Sequence, residues 1–143
     1  MDKKYKLTTQ SIEWKGRKLF RIKALKSFGD VKTSELGGYI ESEENLSQEG
    51  NSWIYDDAKV YDNAKIFGNA HVRNNAEVFG NAKVYDRAKV YGNSWIYGKA
   101  EIHDNARVYD ASEVYGNTSV CGKSRICGDA VIYDNALVGE QSD

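Results

Sequence analysis

From Ser52 onwards a β-branched residue recurs at every sixth position: Ile54, Val60, Ile66, Val72, and so on to Val138. The frame holds without a break through Gln141 as fifteen hexapeptides, from SWIYDD, AKVYDN, AKIFGN and AHVRNN to AVIYDN and ALVGEQ. Position one is always Ala, Ser or Thr, and position three is always Val or Ile. Position five is Asp, Gly or Asn in fourteen of the fifteen. The residues around position three predict a short strand, with the β-branched side chain facing one way and its neighbours the other. Asp or Gly followed by Asn predicts a tight corner, because these residues tolerate φ > 0. The small residue at position one lets that corner close against the core. Three strand-and-corner units make a three-sided coil of 18 residues, so the fifteen predict five coils. At ~4.8 Å between stacked strands the prism is roughly 24 Å long.

Written from Val60, the repeat V-Y-D-N-A-K resembles the bacterial hexapeptide-repeat family. The resemblance implies a left-handed parallel β-helix. The expected fold is therefore all-β: a left-handed parallel β-helix of about five coils over 52–141, behind an N-terminal β-hairpin cap over 1–51.

Residues 18 apart stack in columns. Position three fills the core, while positions two and four flank it and are expected to point outward. Side one then presents Trp53, Tyr55, His71, Arg73, Lys89, Tyr91, Arg107, Tyr109, Arg125 and Cys127. It carries four cations and four aromatics with no acid, a stripe suited to an acidic protein surface or to phosphates. Side two carries an unbroken aromatic ladder, Tyr61, Phe79, Tyr97, Tyr115 and Tyr133, beside Trp95. Such a ladder stabilises itself by stacking, at ~0.2–1 kcal/mol per pair. Where exposed, it is also a contact surface for a partner or a second subunit.

In the first segment, IEWKGRKLFRIKAL reads as two strands about a turn at Lys15-Gly16-Arg17, with Ile12, Trp14, Leu19 and Ile22 on one face. Gly37-Gly38 and Gly50-Asn51 are turn signals leading into the first coil. The segment is expected to cover one end of the prism, since bare strand edges invite aggregation. The other end carries no comparable cover in the sequence, so a homo-oligomer is expected.

Composition narrows the functions. The net charge is −1 with 29% charged residues, which excludes a bulk polycation. No apolar run is long enough to span a membrane, and MDKKYKLTTQ lacks a signal-peptide core. Two Cys and no disulfide framework point to a reduced, cytoplasmic protein. Cys121 and Cys127, both in outward slots, are expected as free thiols, with no metal site and no cofactor.

Many hexapeptide-repeat proteins are acyltransferases, with a catalytic His, an external loop interrupting the coils and a C-terminal segment for the acyl donor. Here no loop interrupts the repeats, and the only histidines, His71 and His103, fall on different sides. Asp56-Asp57 lies at a corner and reads as a turn. The expected function is therefore binding of a macromolecular partner, protein rather than nucleic acid, through the outer faces. A hexapeptide-repeat acyltransferase and a self-assembling structural protein are the alternatives. The whole chain, including YKLTTQSIEWKGRKLFRIKAL, also resembles uncharacterised phage and prophage hexapeptide-repeat proteins. That resemblance implies a mobile-element accessory protein, such as an inhibitor of a host defence complex of the CRISPR nuclease type.

Overall fold

The computed structural model describes residues 2–140. Three longer strands come first: β1 (Tyr5–Trp14), β2 (Arg17–Ala24) and β3 (Leu36–Ile40). A single 3-10 turn, Glu43–Asn45, follows, and then fifteen two-residue strands from Trp53–Ile54 to Leu137–Val138, one per hexapeptide. Each strand pairs in parallel with the strand one coil away, as Val90 does with both Val72 and Val108. The result is a three-sided parallel β-solenoid with two five-stranded sheets and one of eight strands. Gln141, the last residue of the final repeat, lies outside the described residues.

The repeat builds this shape by simple rules. Position-three residues from Ile54 to Val120 are fully buried, as are the position-one alanines from Ala58 to Ala106. Burial of each Val or Ile contributes about 1.5–3 kcal/mol. Three of the serines that replace Ala at position one close the corner with their hydroxyls: Ser94 Oγ donates to the Tyr91 carbonyl at 2.9 Å, Ser112 Oγ to that of Tyr109 at 2.7 Å and Ser124 Oγ to that of Cys121 at 2.7 Å. Position five is left-handed from Asp56 to Asp134, with φ near +58° at Asp62 and +67° at Gly98. Its Asp and Asn side chains also tie successive coils together. Asp62 Oδ2 accepts from the Gly80 N–H at 2.9 Å, and Asp110 Oδ2 from that of Gly128 at 2.9 Å. Asp56 does the same for the Asn74 N–H, as befits a corner residue.

Solenoid pairing begins before the first hexapeptide. β3 pairs in parallel with Lys59–Val60, and Leu46 bridges in parallel to Ile66. These contacts add an irregular turn to the five regular ones, about six in all. Buried Asn45 holds this turn in place: its Oδ1 accepts from the Glu41 and Ser42 N–H groups, and its Nδ2 donates to the carbonyls of Asp62 and Ala64.

β1 and β2 form the expected hairpin. Trp14 pairs with Arg17 across a two-residue turn, Lys15-Gly16, with φ of +49° and +80°, so Arg17 is already in β2. The hairpin extends the side-two sheet through antiparallel pairing of β2 with β3. Its apolar residues divide between two clusters. Ile22 joins the prism core with Tyr5, Ala24 and Val31, while Leu19 packs with Ile12, Trp14, Tyr39, Tyr61 and Phe79 outside the prism. The hairpin therefore covers both the end of the core and the upper part of one outer face.

Candidate functional site

Side one divides into an upper part occupied by the N-terminal segment and a lower part left open. Trp53, expected on the outer face, is fully buried, with Phe28 and Tyr5 edge-on to its ring at 5.3 and 6.2 Å. The first rung of this side is thus part of the core, because residues 1–51 fold over it. Tyr55 is half-buried, and its hydroxyl donates to Asp30 Oδ1 at 2.7 Å. Arg73 stacks on Tyr55, 3.8 Å from the ring centre, and lies 3.8 Å from Asp30 Oδ2. The Tyr55 hydroxyl and then the charges of His71 and Arg73 hold Asp30 below the usual carboxylate range, against the opposing effect of burial. His71 sits edge-on to Tyr55, and burial followed by the Arg73 charge lowers its pKa.

Below this knot lie Lys89, Arg107 and Arg125, one per coil. Among the described residues, none of the three has a carboxylate within ion-pairing distance, a state they share with most lysines and arginines of the chain; their alignment on paired strands of one side sets them apart. Beside them Tyr91 and Tyr109 stack at 4.9 Å with rings 2° from parallel. The Tyr109 hydroxyl pKa is raised, first by its hydrogen bond with Cys127.

A residue that column reading of positions two and four passed over also faces this side. Arg87, at position six, stands across a trough from Lys89 and Arg107. The trough has a volume of about 390 Å³, with Asn69 and Asn105 in the Arg87 column and Gly29-Asp30 closing one end. The signal was present in the sequence as Asn51, Asn69, Arg87 and Asn105, each 18 residues apart.

Side two carries its aromatic ladder as a continuous stack. Successive ring centres from Tyr61 to Tyr133 lie 5.1, 4.9, 4.8 and 5.5 Å apart. The upper rungs are not free surface: Tyr61 is buried at 2% exposure under the hairpin. Trp95 and Tyr133 are exposed, whereas Tyr97 and Tyr115 are half-buried. Tyrosine hydroxyls lock neighbouring coils by a repeated contact: Tyr61 donates to Glu77, Tyr97 to Glu113 and, on side three, Tyr85 to Glu101, each 16 residues on. Burial, then the bond to Glu113, pushes the Tyr97 hydroxyl up to about 12.

The two histidines lie on different sheets, His71 on side one and His103 on side three, where it stacks on Tyr85 at 4.9 Å. His103 Nδ1 is 3.3 Å from Asp104 Oδ1 and 3.7 Å from Asp86 Oδ2. This is the one grouping of metal-ligating side chains among the described residues. Its carboxylates already serve the corners, since Asp86 Oδ2 accepts from the Asp104 N–H and Asp104 Oδ2 from the Gly122 N–H. Both thiols are free. Cys127 is exposed as expected, but Cys121 is fully buried, its Sγ directed at the Val138 carbonyl at 3.6 Å, and burial raises its pKa. No protein-family model matches the chain, and no curated protein matches it.

Proposed function

We propose that the protein is a non-catalytic docking scaffold that engages a macromolecular partner, an acidic protein surface, through the lower part of side one. The observation that carries this reading is the row of Lys89, Arg107 and Arg125, left without carboxylate partners among the described residues. The paired strands fix the backbone beneath these charges, so docking has only their side chains to order and no loop. The surface is selective rather than a general polyanion sink, because the net charge of the whole chain is −1.

The finer proposals rest on this base. Exposed Val131, Tyr133 and Leu137 favour self-association as a homo-oligomer. Free Cys121 and Cys127 suit a cytoplasmic protein. The phage-type resemblance makes a host defence complex, such as a CRISPR nuclease, the partner class to try first.

The test is capture from nuclease-treated bacterial lysate with the wild-type protein, a K89E/R107E/R125E variant and a Tyr97→Ser/Tyr115→Ser variant. A stoichiometric protein lost only with the charge-reversal variant supports the reading. Retention by that variant, or loss with the side-two variant alone, overturns it.

A further inference from the structure

The trough beside Arg87 deepens the docking reading and rests on it. Its two walls are parallel columns, Asn69, Arg87 and Asn105 on one side and His71, Lys89 and Arg107 on the other. Between the walls stand Ala70, Ala88 and Ala106, each fully buried in the core, so the floor between the two columns is backbone. We propose that this trough holds an extended, carboxylate-bearing segment of a partner protein, running along the prism axis.

Four observations favour a peptide over a nucleic acid. First, each aromatic ring beside the trough already has one face occupied, which leaves fewer faces for unstacked bases. Tyr91 and Tyr109 stack on each other, and Tyr55 is covered by Arg73. Second, the charge is mixed. Asp30 closes one end of the trough, and Asp86 and Asp104 line the far flank of the Arg87 ridge. A uniformly negative phosphate chain meets repulsion at both places, whereas a peptide can place a basic or neutral residue opposite Asp30. Third, the wall amide of Asn105 offers a donor and an acceptor, and that of Asn69, whose Oδ1 already accepts from the Asn51 N–H, offers a donor, which together match a peptide backbone. Fourth, the cations match carboxylates in kind. Arg87 and Arg107 can each grip a carboxylate with two parallel N–H bonds. Alternate residues of an extended chain lie roughly 6.6 Å apart on one face, within reach of side chains that start ~4.8 Å apart.

The experiment is selection of a random-peptide library on the immobilised wild-type protein. Fluorescence anisotropy of the best peptide on wild type, R87Q, K89Q/R107Q and R125Q follows, with melting temperatures checked for each variant. A single-stranded DNA oligonucleotide is titrated in parallel. The expected result is enrichment of Asp and Glu at alternate positions. Binding falls about tenfold or more in R87Q and in K89Q/R107Q, and changes less than about twofold in R125Q, which lies outside the trough. Selected peptides without acidic preference, an R125Q loss as large as that of R87Q, or an oligonucleotide that binds more tightly than the peptides each overturn the proposal. If the trough assignment falls while charge reversal on side one still abolishes partner capture, the docking reading stands without it. If capture is indifferent to side one, the docking reading itself falls.

Discussion

At the left-handed corners, a single atom decides what is tolerated. A Cβ added at Gly98 (φ +67°) would lie 2.7 Å from the Gly116 nitrogen one coil away. Ala there meets both that contact and the left-handed backbone penalty of ~1–2 kcal/mol. Asp meets the same penalty but gains an acceptor for the Gly116 N–H, as Asp110 does for Gly128. Thermal denaturation should therefore rank wild type above Gly98→Asp, and Gly98→Asp above Gly98→Ala. Lys4 offers a second test at this scale. It is buried at 1% exposure, and its ammonium donates to the Ser52 carbonyl at 2.8 Å. Burial, then the charge of Lys26, lowers its pKa from 10.5 to about 8. The unfolded chain thus binds more protons between these values, and stability gains as pH rises through that window. Tyr5, Tyr55 and Tyr61 act oppositely, since their hydroxyls are raised above 10.0 and oppose folding once the unfolded tyrosines ionise. Buried Cys121, raised above its ordinary value, opposes folding in the same way once the unfolded thiol ionises, so the melting temperature should climb from pH 8 to about 9 and then fall, with the climb absent in Lys4→Met.

Among the elements, the hairpin is the one whose position pattern alone does not specify. Its alternation was legible, and so was its turn, because Lys15-Gly16 follows the rule for tight hairpins. Its docking on side two depends on buried Glu77, 63 residues beyond Trp14 in the chain. One oxygen of this carboxylate accepts from Trp14 Nε1 at 3.0 Å, the Tyr61 hydroxyl at 2.7 Å and Lys15 Nζ at 3.4 Å. Lys15 Nζ also stands 4.6 Å from the Trp95 ring centre. Glu77→Gln removes the charge that these donors share, and should cost about 1–3 kcal/mol and speed amide exchange across Lys18–Arg21. Tyr115→Ala, lower on the same ladder, should cost about 0.5–1.5 kcal/mol and leave hairpin exchange unchanged. Equal exchange in wild type and Glu77→Gln would show that the latch lies elsewhere.

For the molecule as a whole, the six-residue frame separates folding from display. Deleting residues 94–99 keeps a β-branched residue at every core position, so the solenoid should persist with a lower melting temperature and an unchanged circular dichroism signature. The same deletion moves Arg107 and Arg125 from side one to side three, out of line with Lys89. Partner binding should then be lost from a folded protein, which charge substitutions cannot show as cleanly. Failure to fold would mean that the coils are coupled through their outer ladders more strongly than through the core.

The sequence alone determined the strands, the corners, the core and the coil length, because each depends on contacts that repeat at one fixed interval. Val90 meets Val72 and Val108 for the same reason at every rung. Outward columns were legible on the same grounds wherever nothing else covers them, as at Lys89, Arg107 and Tyr115. Only the tertiary structure decided where residues 1–51 lie on the prism. That placement buries Trp53 and Tyr61, engages Tyr55 and Arg73 through Asp30, and closes one end of the Arg87 trough. These contacts join residues with no periodic relation to one another. They are set by the shape and chemistry of two surfaces that exist only once the chain has folded.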